Sequence, residues 1–365
     1  MFPDFPNSMK GLTTLLNFDL RDFLRTDSTK SRTQKLESVA VFGAGAWGTA
    51  LAIAFARAGL KVTLWGRNEP QMLAMAKTRK NRKYIGDITL PQNIIPTHSI
   101  DTALADADAV FLVVPSKALP LVSLSICDRI AEGTPVVSCT KGLDPERNQL
   151  LTKTITDNIP HAEPMFLSGP SFAAEVAAGL PTQVVLAGDM TTALLMSSRL
   201  STPTFQVEPV EDLIGAQIGG LMKNIFAIAC GLADGLGHGS NTRAAIMARG
   251  LQEAASLAEA MGGSATTLLG VAGAGDLALT CTDPQSRNYS FGRSLADPAF
   301  STQSKTFEGV SSVLNACKLI SDFELDAPIS ATVCQIVNGE IAPDQLIPSL
   351  FKSNAPERVD ELMAS

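Results

Sequence analysis

Short apolar runs alternate with amphipathic stretches over the first half of the chain. Val39-Ala-Val-Phe42, Lys61-Val-Thr-Leu-Trp65, Ala109-Val-Phe-Leu-Val-Val114, Pro135-Val-Val-Ser138, Met165-Phe-Leu167 and Thr182-Gln-Val-Val-Leu-Ala187 are short and rich in β-branched residues, the pattern of strands buried on both faces. Between them, Ala46 to Ala58 predicts a helix ended by Gly59. A polar helix runs to about Arg79, another covers Leu119 to Ile130, and a fourth spans Glu146 to Asn158. Strands separated by helices of this length predict a parallel, doubly wound sheet. Near Glu211 the pattern changes to helical spacing alone, over Asp212–Leu232, Thr242–Met261, Val310–Phe323 and Ile329–Val337. The boundaries that follow are an extension over 1–36, an α/β domain over 37–208 and an all-helical domain over 209–365.

The first strand runs into Gly43-Ala-Gly-Ala-Trp-Gly48, and a helix follows directly. This is the setting that gives G-x-G-x-x-G its meaning. Gly43 makes the tight turn, Gly45 lets the backbone approach a pyrophosphate, Gly48 lets helix pack on sheet, and the helix N-terminus attracts the anion. The α/β half is therefore a Rossmann-like dinucleotide-binding domain. Trp65-Gly-Arg67 ends the second strand, where an NAD site usually offers a carboxylate to the ribose. A guanidinium suits a 2′-phosphate, so Arg67 favours NADPH over NADH, against an ordinary turn arginine as the alternative and Glu69 nearby as a counter-argument.

A dinucleotide enzyme needs a proton donor, and Lys223 stands out. At helical spacing Ala216, Gly220, Lys223 and Ala227 share one face, so small residues flank the lysine and something can approach beside its ammonium. The three histidines, His98, His161 and His238, lie in loops with no partner at a useful spacing. Four loops offer further chemistry. Thr140-Lys141-Gly142 follows a strand at the carboxyl edge, where ligands bind, although spacing alone favours an exposed turn lysine at Lys141. Ser168-Gly-Pro-Ser-Phe-Ala173 carries hydroxyls that can bind a ligand or cap a helix at Ser171. Gly273-Ala-Gly-Asp276 presents a carboxylate or a helix cap. Ser286-Arg-Asn288 suits a phosphate or polyol, or an ordinary loop.

Composition narrows the class. A formal net charge of −7 and a pI of about 5.1 argue against nucleic-acid or anionic-membrane partners. The exception is Lys77-Thr-Arg-Lys-Asn-Arg-Lys83, which reads as the solvated end of a helix, with a phosphate-attracting rim as the alternative. The six cysteines form no C-x-x-C pair and read as reduced core residues, and no metal site is expected. No span reads as a transmembrane helix, since Lys223 and Asp234 interrupt the longest apolar stretch. Residues 1–36 hold Ser/Thr-rich and basic pieces but also Asp4, Asp19, Asp22 and Asp27. They read as a disordered extension or an early start site ahead of Met9, with organellar import the weaker alternative to a cytoplasmic location.

Taken together, Gly43–Ala50, Thr140–Leu143, Ser168–Ala173, Gly219-Gly-Leu-Met-Lys-Asn224, Gly239-Ser-Asn-Thr-Arg243, Ala248-Arg-Gly-Leu251, Gly275-Asp-Leu-Ala-Leu-Thr-Cys-Thr282, Ser286–Asn288 and Glu308-Gly309 resemble the bacterial and organellar NAD(P)-dependent glycerol-3-phosphate dehydrogenases. The resemblance runs from about Val39 to Gly339. It implies reversible reduction of dihydroxyacetone phosphate to sn-glycerol 3-phosphate, feeding glycerophospholipid synthesis, by a homodimer. It implies that Lys223 is the catalytic proton donor and acceptor and that Lys141 touches cofactor and substrate. Gly169, Ser171, Asp276, Ser286, Arg287 and Asn288 would then hold the substrate. Gly43, Gly45, Ala46, Trp47, Gly48, Arg67, Lys141, Ala173, Arg287, Thr306 and Glu308 would meet the dinucleotide. The chain departs from the family in carrying Thr306-Phe307 where two valines are usual, and in its N-terminal extension. Other classes to weigh are a hydroxyacid or 6-phosphogluconate-type dehydrogenase, and a non-enzymatic dinucleotide-binding regulator.

Overall fold

The computed structural model describes residues 36–296 and 308–351; the expectations for residues 1–35, for Thr306 and for the chain beyond residue 351 fall outside them. The N-terminal half contains β1 (Ser38–Phe42), α1 (Ala46–Arg57), β2 (Lys61–Trp65), α2 (Glu69–Thr78), β3 (Ile94–Thr97), β4 (Ala109–Leu112), α3 (Leu119–Ile126), β5 (Pro135–Ser138), a small hairpin of β6 (Leu143–Asp144) and β7 (Gln149–Leu150), α4 (Leu151–Asn158), β8 (Glu163–Ser168), α5 (Ala173–Ala178), β9 (Thr182–Ala187), α6 (Met190–Leu200) and β10 (Phe205–Val210). The main sheet has eight strands in the order β10-β9-β8-β5-β4-β1-β2-β3.

The six strands from β3 to β8 in that order are parallel, so the loops after β1, β4, β5 and β8 emerge along one edge. Chain direction reverses between β1–β2–β3 and β1–β4–β5, which opens a crevice above β1 where α/β folds take their ligands. The expectation of a wholly parallel sheet needs one correction. β8 pairs antiparallel with β9, and β9 and β10 run parallel to each other. The central strands are buried on both faces, as their unbroken apolar runs require.

Two strands of the main sheet escaped the sequence pattern, and both are sheet edges containing proline: Pro96 in β3 and Pro209 in β10. Proline lacks the N–H that a central strand must donate, so it is tolerated at an edge and hides the strand signal. The helix expected from Glu146 begins instead at Leu151. The Asp144 carboxylate accepts hydrogen bonds from the backbone N–H groups of Glu146 and Arg147, and Asn148 is left-handed at φ 49°. The chain therefore turns into the β6–β7 hairpin first.

From Leu213 the described chain is helical: α7 (Leu213–Gly235), α8 (Ser240–Ala260), α9 (Asp276–Thr282), α10 (Arg287–Leu295), α11 (Glu308–Asp322) and α12 (Pro328–Asn338) are its longer members. α7 is the axis of this half. It is long and apolar enough to cross a membrane by length and composition, yet 78% of its most apolar window is buried inside the protein. Its glycines let neighbours come close. A Cβ on Gly231 would sit 2.0 Å from the Tyr289 carbonyl of α10, and one on Gly292 would sit 2.1 Å from the Ile228 carbonyl of α7. Glu253 of α8 is buried and accepts from the N–H groups of Ile329 and Ser330 and from the Ser330 hydroxyl, which closes the N-terminus of α12. Burial raises its carboxyl above the ordinary range, against those hydrogen bonds.

The cysteine expectation is corrected in part. Cys317 of α11 and Cys334 of α12 form a disulfide across two successive helices, a pairing that a search for short C-x-x-C spacing misses. Cys139, Cys230 and Cys281 are buried free thiols, and burial pushes the Cys139 thiol up, away from reactivity.

Candidate active site

The end of β1 and the start of α1 form the dinucleotide loop. Gly43 has φ +124°, and a Cβ there would lie 2.3 Å from the Val113 carbonyl, so only glycine serves. A Cβ on Gly48 would meet the Gly43 carbonyl at 1.8 Å. Gly45 is the opposite case: a Cβ there would meet nothing within 4 Å, because this side of the loop faces open space. No side chain caps α1, whereas Asn68, Asp189, Asp212 and Ser286 cap other helices. A pyrophosphate fits such a place, since its oxygens satisfy first-turn N–H groups and meet the helix dipole. Ala46 and Trp47 form that first turn, and Ala173 begins α5, which packs against α1. Arg67 follows β2, exposed at the same edge, with no ion pair among the described residues.

The loops after β5 and β8 bring the second part of the site. Lys141 extends from the β5 loop and donates to the Gly169 carbonyl at 3.2 Å. It also meets Asp276 Oδ2 at 2.5 Å. Lys223, from α7, meets the other oxygen, Asp276 Oδ1, at 2.5 Å and donates to Thr280 Oγ1 at 2.9 Å. Asp276 is inaccessible to solvent, and only 11% of the Lys223 side chain is exposed. Two cations from separate halves of the fold thus converge on one buried carboxylate. The small face of α7 makes this possible. At Gly220 a Cβ would stand 3.3 Å from Lys141 Cγ and 3.2 Å from Ser168 Oγ, so what approaches beside Lys223 is the edge of the sheet.

Electrostatics tunes the lysine. Burial pulls the Lys223 pKa down from 10.5 to about 8. Asp276 opposes that by favouring the ammonium, and Lys141 adds to it by like-charge repulsion. Asp276 is therefore not a helix cap. It is the first residue of α9, preceded by a π-helical turn over Val271–Gly275, and its carboxylate is committed to the two lysines.

Ser286, Arg287 and Asn288 form the N-terminus of α10, and Asn288 joins it to α7. Ser286 is buried and caps α10 by accepting from Tyr289 N–H. Arg287 is exposed. The Asn288 amide donates to Asn224 Oδ1 at 2.8 Å, which ties it to the residue next to Lys223. Ser171 does not cap α5; its hydroxyl donates to the Gly169 carbonyl. Glu308 opens α11, and Thr306 lies outside the described residues. Two participants were not singled out from sequence, Thr280 and Asn224. Thr280 stands four residues after Asp276, on the same face of α9, and that i, i+4 spacing was the available signal. Asn224 simply follows the lysine. Among the described residues no cluster of His, Cys, Asp and Glu has the arrangement of a metal site.

Residues 38–193 match the family described as NAD-dependent glycerol-3-phosphate dehydrogenase N-terminus, and residues 212–348 match its C-terminus. The glycerol-3-phosphate dehydrogenase [NAD(P)+] of Parvibaculum lavamentivorans is 40% identical over 319 residues, covering 86% of this chain and 96% of that protein. The enzyme of the same name from Brucella canis is 36% identical, covering 88% of this chain and 99% of that protein. A crystal structure of glycerol-3-phosphate dehydrogenase from Coxiella burnetii superimposes with a TM-score of 0.81 at 34% identity, covering 87% of this chain and 99% of that one. The open glycine loop, the paired lysines and both family matches lead to one conclusion: the chain belongs to the NAD-dependent glycerol-3-phosphate dehydrogenases.

Proposed function

We propose that this chain reduces dihydroxyacetone phosphate to sn-glycerol 3-phosphate, reversibly, with Lys223 as the group that moves the proton at the C2 oxygen. Family membership favours this over the hydroxyacid-dehydrogenase and regulator readings. The observation that carries the assignment is the convergence of Lys141, from the loop after β5, and Lys223, from α7, on the buried Asp276 carboxylate.

The Gly43–Gly48 loop, Arg67 and Ala173 would hold the dinucleotide, which would supply or accept the hydride when bound. Everything else falls to side chains. Charge builds on the C2 oxygen during reduction, and the Lys223 ammonium stabilises it and then donates its proton. A pKa of about 8 leaves Lys223 mostly protonated at neutral pH yet willing to release the proton. In the reverse direction the neutral amine accepts it. Asp276 and Thr280 hold Nζ in place, so the ammonium is aimed before substrate arrives. Lys141 adds positive charge on the sheet side. In this reading Ser286, Arg287 and Asn288 take the phosphate, and Gly169 and Ser171 complete the substrate-binding set.

Arg67 supports a preference for NADPH. A cytoplasmic homodimer belongs to the same proposal, on kinship alone. The test is steady-state reduction of dihydroxyacetone phosphate with NADH and NADPH in parallel, for wild type and Lys223→Ala. Wild type turns over, and the variant loses roughly two to four orders of magnitude in kcat while still binding dinucleotide. Normal turnover by the variant removes Lys223 from the chemistry.

A further inference from the structure

The Lys77–Lys83 basic run is not a phosphate rim in its middle. Arg79 donates to the carbonyls of Leu90, Pro91 and Ile94, while Lys80 and Arg82 pair with Asp87. The residue they surround, Asn81, is only 3% exposed. Its amide reaches across to the dinucleotide loop, donating to the Ala44 carbonyl at 3.1 Å and to Thr49 Oγ1 at 2.8 Å. Thr49 in turn donates to the Gly45 carbonyl at 2.7 Å. The Ala44 carbonyl also accepts from Gln71 at 3.3 Å.

We infer that Asn81 is a positioning residue for the dinucleotide: its buried amide clips the Gly43–Gly48 loop from behind and holds it in the shape that receives the pyrophosphate. The geometry gives the clip a direction. One side of the loop is open at Gly45, and the other is fixed by Asn81 and Thr49. Both amide hydrogens are spent on the loop, one on its second residue and one on the helix turn that closes it. Without the clip the Ala44 carbonyl keeps only the longer bond from Gln71, and the Thr49 hydroxyl that donates to the Gly45 carbonyl loses the donor that orients it. The loop then has to be ordered at the moment of binding, which weakens affinity without touching the substrate pocket. The inference rests on the reading that this loop binds NAD(P)H.

The chain has two tryptophans, Trp47 in the first turn of α1 and Trp65 at the end of β2, so both flank the loop and their fluorescence reports binding without turnover. The experiment titrates NADPH against wild type, Asn81→Ala, Asn81→Asp and a control, Arg79→Met. Arg79→Met strips the same segment of its carbonyl contacts but does not face the loop. Losing two buried neutral hydrogen bonds predicts a Kd roughly tenfold weaker in both Asn81 variants, and a matching rise in the dinucleotide KM. The KM for dihydroxyacetone phosphate stays within about twofold, because no Asn81 contact reaches that pocket. Arg79→Met lowers Tm and keeps the wild-type Kd. The inference is overturned if Asn81→Asp binds NADPH like wild type, or if Kd weakens equally in Arg79→Met. A wild-type protein that binds no NADPH overturns the reading of the loop itself.

Discussion

Replacing Asp276 with Asn removes a charge and keeps a shape, so its effect isolates electrostatics. In wild type the carboxylate touches Lys223 Nζ at 2.5 Å and favours the ammonium. At that distance, an effective dielectric constant of about 20 gives an attraction of about 6–7 kcal/mol. At 1.36 kcal/mol per pKa unit, this is an upper bound of about five units. An amide oxygen still accepts a hydrogen bond and water relaxes into the gap, so a fall of about one to two units is expected. The like charge of Lys141 stays and pushes in the same direction. The ammonium is the donor, so reduction is fast below the Lys223 pKa and falls as pH rises through it. That basic limb lies at about 8 in wild type and moves to about 6–7 in Asp276→Asn. With a limb at about 6.5, the variant loses little at about pH 6 but roughly fifteenfold at about pH 8 from protonation alone. The assay is kcat/KM for dihydroxyacetone phosphate from about pH 6 to about pH 9, with circular dichroism confirming the fold. A limb that stays at about 8, with activity lower by one factor at every pH, refutes the claim that Asp276 sets the lysine's charge.

Two further outcomes bear on the scaffold. Gly231→Ala drives a Cβ into the Tyr289 carbonyl, so α10 must move away from α7; a loss of about 1–3 kcal/mol or more in urea denaturation is expected, and wild-type stability would contradict the contact. Cys334→Ser opens a disulfide across a separation of 17 residues, worth up to about 3 kcal/mol; denaturation midpoints of the variant and of reduced wild type should coincide below that of oxidised protein, and equal midpoints in all three would exclude a stabilising bond.

The sequence pattern revealed most where one force dominated. Central strands carry continuous apolar runs because both faces are buried, and the glycine loop carries its spacing because only glycine fits at Gly43 and Gly48. Lys223 was legible because a lysine among small apolar residues breaks the helical pattern. Three things were not legible. Edge strands containing Pro96 and Pro209 pack on only part of their surface and break the strand signal. The Asp144 turn competes locally with a helix. The balance of charges around Lys223 depends on side chains brought together across 135 residues, from Lys141 to Asp276, and on how fully they are dried. Spacing along a chain does not encode solvent exclusion, so it left the lysine's pKa open and passed over Thr280 and Asn81. Asn81 was hidden by its neighbours: inside a basic run, a buried amide looks like one more solvated residue.

The prolines at the two margins of the sheet also bear on how copies of this chain meet. An outer strand with its full set of donors and acceptors is a template on which another strand can grow, through which proteins aggregate or fuse sheets across an interface. Pro96 and Pro209 each delete a donor from such a template, one at either margin. A ninth strand would find an incomplete ladder on either side. Any assembly of two copies is thereby steered to helical and loop surfaces, and each sheet remains the private property of its own subunit.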